Sequence, residues 1–209
     1  ASLDGALKPD ALRRLVDYLL EATVWYASRL GGAFVQASLR DGLHAELLFQ
    51  IAAELAEALP DSLGAHRLSD VLAYKYEPTW PHKVYAGVRA LPAAFVVQLW
   101  TTPDGAQLKR GAKGQNGVEV FQAAAPPGMQ DRYAWAPALE DDTAKLDLLQ
   151  ASGLASRSVA YKQNRLVVWR ADKLFRPTWA PQFWRAGYRH RRVDLTFFFG
   201  DPPVANELA

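Results

Sequence analysis

The sequence predicts a mainly β, α+β fold in which N-terminal helices buttress a jelly roll. Three observations carry this expectation. Apolar residues recur at helical spacing as far as Pro60, then fall into short alternating runs from Leu68 onward, and Pro and Gly punctuate those runs. Helices followed by many strands suit a two-layer β architecture covered on one side.

The elements follow in order. Asp10 is placed to cap a first helix, whose stripe is Leu12, Leu15, Val16, Leu19 and Leu20 and which Gly31-Gly32 stops. Asp41 opens a second, with Leu43, Leu47, Ile51 and Leu55 on one face and Pro60 at its end. Both stripes are core faces. Strands are expected at 71–76, 94–101, 118–121, 157–161, 166–169 and 193–199, and a short helix at 141–149. The segment 103–117 is Gly-rich and basic (Lys109, Arg110, Lys113), and suits a lid. One domain is expected over 1–209, helical over 10–60 and barrel-like over 68–200.

Composition narrows the function. A formal net charge of +2 is too small to imply nucleic acid or an anionic membrane as partner, and the absence of cysteine removes disulfides and thiolate chemistry. No apolar run is long enough to span a bilayer, and the first residues lack a signal-peptide pattern, so the cytoplasm is the expected compartment. Nucleophile-elbow, Walker and dinucleotide fingerprints are missing, and GAKGQNG precedes a strand rather than a helix.

The stretch from Tyr161 to Gly200, YKQNRLVVWRADKLFRPTWAPQFWRAGYRHRRVDLTFFFG, resembles the closing strands of iron(II)/2-oxoglutarate-dependent oxygenases. In that family an Asn-Arg pair opens a strand, a Leu-Phe-His supplies the last iron ligand, and a Gly-Tyr…Arg-Arg strand carries the arginine that grips the 2-oxoglutarate carboxylate. Asn164-Arg165, Leu174-Phe175 and Arg191-Arg192 match, with Arg176 where the histidine is expected. Upstream, residues 73–77 and 92–104 are similar to a bacterial, prolyl-hydroxylase-like branch with a His-x-Asp pair just before an Ala-Ala. Matching Ala93-Ala94 puts Arg89 and Leu91 at that pair. The resemblance implies a double-stranded β-helix, a cupin-like jelly roll, in a degenerate member whose iron ligands are replaced.

Side chains two apart on a strand share a face. Arg89 and Leu91 are therefore expected to point into the barrel. In the last strand Val193, Leu195, Phe197 and Phe199 form a core face, and Arg192, Asp194 and Thr196 the interior one. The resemblance gives Arg192 the carboxylate, a role that a forked guanidinium suits. The alternative is an internal ion pair of Arg192 with Asp194 or Glu77. Arg89 and Arg176 would add two more guanidiniums, needing Glu77, Glu119, Asp172, Asp194 or an anionic ligand as counter-charge; the alternative for either is an outward turn to solvent. Gln98 and Lys75, on strands of the same barrel, complete the binding set. Tyr74, Tyr76, Glu77 and His82 are the candidate acids and bases.

The histidines are His44, His66, His82 and His190. His190 shares the parity of Arg192, and a His82–His190–Glu77 set is the one divalent-metal arrangement on offer. No ligand spacing marks a metal site, so no metal residues are assigned, and iron and 2-oxoglutarate are not expected as cofactors. The favoured reading is a metal-independent enzyme that binds a small anionic, carboxylate-bearing metabolite and catalyses isomerisation, elimination or cyclisation. The alternatives are a non-catalytic ligand sensor or partner subunit, and an oxygenase with unusual ligands. A homodimer or a partner protein is compatible with each.

Overall fold

The computed structural model describes residues 1–29, 34–77, 88–107, 116–125, 149–150, 153, 155–178, 185 and 187–201. Two helices and ten strands are defined: β1 (Ser2–Asp4), α1 (Pro9–Glu21), β2 (Ala27–Arg29), β3 (Phe34–Ser38), α2 (Glu46–Ala58), β4 (Leu68–Tyr76), β5 (Phe95–Trp100), β6 (Val118–Ala124), β7 (Ser156–Val159), β8 (Arg165–Arg170), β9 (Lys173–Pro177) and β10 (Val193–Phe199). All pairings among the described residues are antiparallel. A seven-stranded sheet runs β1-β8-β5-β10-β4-β3-β2, and a three-stranded sheet runs β7-β6-β9. This is a jelly roll of the double-stranded β-helix type.

Alternation along the large sheet divides the apolar residues between two cores. Val71, Ala73, Val97, Leu99, Leu166, Val168, Val193, Leu195, Phe197 and Phe199 meet Leu15 and Leu19 of α1 and Leu48, Ile51 and Ala52 of α2. Leu72, Tyr74, Tyr76, Val96, Trp100, Val167, Trp169 and Phe198 face the small sheet's Val118, Val159 and Phe175. Each fully buried Leu or Phe contributes about 1.5–3 kcal/mol, so both layers are held from the same strands. A third cluster, with Val88, Ala90, Phe121, Ala123 and Leu174, backs the small sheet.

The first helix stops at Glu21, ten residues short of the Gly-Gly stop expected from sequence. Thr23, Val24, Trp25 and Tyr26 are poor helix formers, and Trp25 Nε1 donates to Leu19 O at 3.0 Å, taking up a carbonyl that a longer helix would have used. The second helix starts at Glu46, not Asp41. Asp41 instead closes a capping box with Ser38 on a single 3₁₀ turn, which the left-handed Gly42 ends. Strands β1, β2, β3 and β9, each five residues or fewer, were not expected. Most of the expected helix at 141–149, and residues 108–115 of the expected lid at 103–117, lie outside the described residues.

Asn164 ties the N-terminal segment to the barrel. It adopts a left-handed φ of 59°, its Oδ1 accepts from Leu7 N at 2.9 Å, and its Nδ2 donates to Leu7 O at 2.7 Å. Asn164→Ala loses two hydrogen bonds and puts a Cβ residue without Asn's local bonding at positive φ, so it should destabilise by roughly 2–4 kcal/mol. Asn164→Gly keeps the backbone conformation and should cost roughly 1 kcal/mol less than Ala in urea unfolding.

Candidate functional site

Between the sheets the interior face of the large sheet reads as cross-strand rows. One row is Gln36–Tyr74–Asp194–Trp100, from β3, β4, β10 and β5. The next is Ser38–Leu72–Thr196–Gln98. Phe34 pairs with Tyr76, whose backbone N–H donates to Arg192 O at 3.0 Å. The even residues of the last strand thus face the interior together.

Arg192 and Asp194 are both buried, at 1% and 0% exposure. Arg192 Nε donates to Asp194 Oδ1 at 2.8 Å and Nη2 to Oδ2 at 2.9 Å, a two-pronged pair between the residue just before β10 and the second residue of that strand. The third prong, Nη1, donates to Asn116 O at 2.9 Å. Asn116 presents that carbonyl from a left-handed turn, φ 65°, at the entrance to β6. Gly117 follows because a Cβ there would lie 1.8 Å from Val159 O. The guanidinium carbon lies 4.8 Å from the Tyr161 ring centroid, and the Tyr161 hydroxyl donates to Thr102 O. Gln98 Nε2 reaches Asp194 Oδ2 at 3.5 Å. Burial pushes the Asp194 carboxyl above its ordinary value, and the Arg192 charge works against that rise.

Arg89 is 6% exposed and forms an isolated antiparallel bridge with Phe175, each N–H donating to the other's carbonyl at 2.8 Å. Phe175 packs on the interior cluster and so does Leu91, whereas Val88 and Ala90 belong to the outer one. Parity therefore turns Arg89 inward. The Tyr76 phenol is fully buried and pushed well above its ordinary value, by burial first and the Asp194 charge second, with Arg192 and Arg89 opposing. At neutral pH Tyr76 is a hydrogen-bond donor, not a base.

Three candidates stand elsewhere. Lys75 lies on β4 between Tyr74 and Tyr76, so alternation sends it to the opposite face, where its Nζ is 4.3 Å from the Trp25 ring centroid. Arg176 is exposed on the outer face of β9, pairing with Glu119 at 2.7 Å beside Phe121; it shares the parity of Leu174, not that of Phe175. Glu77 pairs with Arg191 at 3.0 Å rather than with Arg192. Glu119 and Asp172, expected as interior counter-charges, hold Arg176 and Arg170 instead. His190 sits exposed in a turn before the strand begins, so strand parity does not apply to it, and His82 lies outside the described residues.

Sequence reasoning missed Gln36, Asn116 and Tyr161. Gln36 was hidden by the brevity of β3, although Phe34, Gln36 and Ser38 share the even parity of an interior face. Gln36 is 0% exposed, and neither its Oε1 nor its Nε2 has a hydrogen-bond partner among the described residues; the same holds for the buried Trp100 and Trp169 Nε1 groups.

No protein-family model matches the sequence, and no curated protein is similar to it at sequence level. Solved structures do match. The epimerase SnoN, in complex with Fe3+, alpha ketoglutarate and nogalamycin RO, is similar with a TM-score of 0.61 at 14% identity, over 96% of this chain and 78% of that one. The non-heme alpha ketoglutarate dependent carbocyclase SnoK, from nogalamycin biosynthesis, gives 0.57 at 12% identity, over 99% and 83%. A Pseudomonas putida prolyl-4-hydroxylase gives 0.50 at 12% identity, over 97% and 92%. The fold is that of the iron/2-oxoglutarate oxygenases.

These likenesses to iron/2-oxoglutarate oxygenases overturn one expectation. Iron and 2-oxoglutarate were not expected as cofactors, yet SnoN holds both on this fold, so their exclusion is withdrawn. The described residues do not themselves fit an iron set. Arg89, Leu91 and Arg176, set by the resemblance at the ligand positions, offer no suitable donor atom, and no three His, Asp or Glu side chains converge among the described residues. Nor does Arg192 present an open fork to a 2-oxo acid, because Asp194 closes it.

Two outcomes follow. Arg192→Leu strands the Asp194 carboxylate and should cost about 3–5 kcal/mol in urea unfolding, whereas Arg192→Leu with Asp194→Leu should recover most of that loss. Lys75 is lowered to about 8, by burial first and Arg191 second. An unfolded lysine stays charged to about 10.4, so between these values the unfolded chain binds more protons and stability rises with pH. Lys75→Met should therefore stabilise the protein most below pH 8, with the gain shrinking as pH passes from 8 towards 10.4, as thermal unfolding across pH would show.

Proposed function

We propose that the protein is an enzyme that binds a small anionic metabolite between its two sheets and rearranges it, in an isomerisation, elimination or cyclisation. The carrying observation is the set of buried polar groups between the sheets. Arg89 turns inward beside Tyr76, and Gln36, Trp100 and Trp169 hold hydrogen-bonding atoms that the described residues leave unused. A buried polar atom without a partner costs about 1–3 kcal/mol, and a bound polar molecule would remove that cost. Arg89 supplies the counter-charge. Tyr76, held protonated, donates a hydrogen bond where negative charge develops in the reacting molecule. An epimerase and a carbocyclase on this fold lend support to rearrangement as the reaction class.

Thermal unfolding against a panel of small carboxylates and phosphates tests the binding step. At least one should raise the melting temperature of the wild type, and Arg89→Leu should weaken its binding by about 2–5 kcal/mol. If no member shifts the wild type, the reading fails.

A second reading, an iron/2-oxoglutarate oxygenase, is favoured by the SnoN likeness. Succinate formed from 2-oxoglutarate, dependent on ferrous ion and above a boiled control, would establish it.

A further inference from the structure

We propose that Gln36 is the specificity-determining residue of the inter-sheet site, and that it selects a molecule bearing a hydroxyl or carboxamide in addition to its anionic group. This rests on the proposed binding of a small anion between the sheets and adds to it the second functional group of that molecule.

The argument begins with the chemistry of an amide. Gln36 carries two N–H donors and one carbonyl acceptor, is fully buried, and uses none of them among the described residues. Exchanging the oxygen and nitrogen would not help, since both positions are unpaired. Its backbone is paired on both sides, with Ala27 of β2 and Tyr74 of β4, so the side chain is not there to finish a sheet edge. A leucine would fill similar volume without the cost of burying an amide. An amide kept at such a place has a use in what it meets.

The surroundings define that use. Tyr74 stands next to Gln36 in its row, and Phe34 shares its strand face two residues away. The Phe34 and Tyr74 rings lie 5.6 Å apart, and Phe34 and Tyr76 5.7 Å apart. On the other side its cross-strand neighbour is Ala27, whose methyl group offers the amide no hydrogen bond. A polar head among aromatic walls discriminates strongly by hydrogen bonding, because a molecule that lacks the matching group leaves the amide unpaired in the complex too. A hydroxyl or carboxamide both donates and accepts, so it can meet both kinds of atom on Gln36. A methyl group meets neither, and a carboxylate meets only the donors.

The test uses butyrate, 4-hydroxybutyrate and succinamate, three monoanions of similar length that end in a methyl, a hydroxyl and a carboxamide. Calorimetric titration of the full chain should give dissociation constants for the second and third at least about tenfold below that of butyrate, the loss expected for an unmet buried hydrogen bond. In Gln36→Leu the three should bind alike, with butyrate no weaker than in the wild type. Gln36→Met, which keeps an unbranched shape, should behave the same way, and both variants should melt at or above the wild-type temperature. A wild type that binds all three equally, or a Gln36→Leu that still separates them, overturns the role of Gln36 while leaving anion binding intact. If none of the three binds and the wider panel is silent, the binding site itself is refuted and this inference with it.

Discussion

A guanidinium at the centre of a protein must have its charge answered within bonding distance, and here the answer comes from two residues further along the chain. Arg192 and Asp194 are separated by one residue, both are sealed from solvent, and the fork closes on the carboxylate at 2.8 and 2.9 Å. Much else is arranged around that contact. Asn116 adopts positive φ and turns its carbonyl to the remaining prong, Tyr161 lies under the guanidinium, and Thr102 accepts from Val193 N at 2.8 Å at the strand's start. The pair joins the large sheet to the entrance of β6 in the small one. Its Coulomb energy is offset by desolvation, so its value is better sought in register and in the joining of the sheets than in net stability.

The strand that carries the pair also divides the molecule. Val193, Leu195, Phe197 and Phe199 bind the helical layer, while Arg192, Asp194, Thr196 and Phe198 look toward the small sheet. A shift of one residue would put the charged pair against α1 and four apolar side chains into the polar interior, so register is strongly specified. Two neighbours, β4 and β5, hold it along almost its whole length.

That division was legible in the sequence, because seven alternating residues with four aliphatic or aromatic side chains on one parity have only one sensible orientation. The inward parity of Arg89 and Leu91 was legible for the same reason. Other features were not. Lys75 was placed in the binding set as a residue of a barrel strand, yet it faces Trp25 through the other side of the sheet. Arg176 was counted as a further guanidinium of the pocket and instead lies on an edge strand, where Glu119 draws it outward. Gln36 escaped because a five-residue strand behind a glycine pair gives little periodicity to read. Long strands announce their faces; short ones depend on which neighbour they find, and that is a tertiary fact. Cofactor use was misjudged for a different reason: a change at three matched positions speaks for those positions, not for the fold they sit on.

At the margin of the large sheet, β1 pairs with β8 through three residues, Ser2 opposite Val167, Leu3 opposite Leu166 and Asp4 opposite Arg165. Asp4 also draws in Lys162 and Arg165, which pull its carboxyl well below the carboxylate range. Behind this short, charged strip lies β8, with Leu166, Val167, Val168 and Trp169 in succession. Uncovered, that strand would offer a row of free backbone groups beside an apolar sequence, the surface on which a second chain most readily adds by edge-to-edge pairing. Strand β1 thus covers an edge that would otherwise invite self-association, and a change that detached it would threaten solubility before it threatened the barrel.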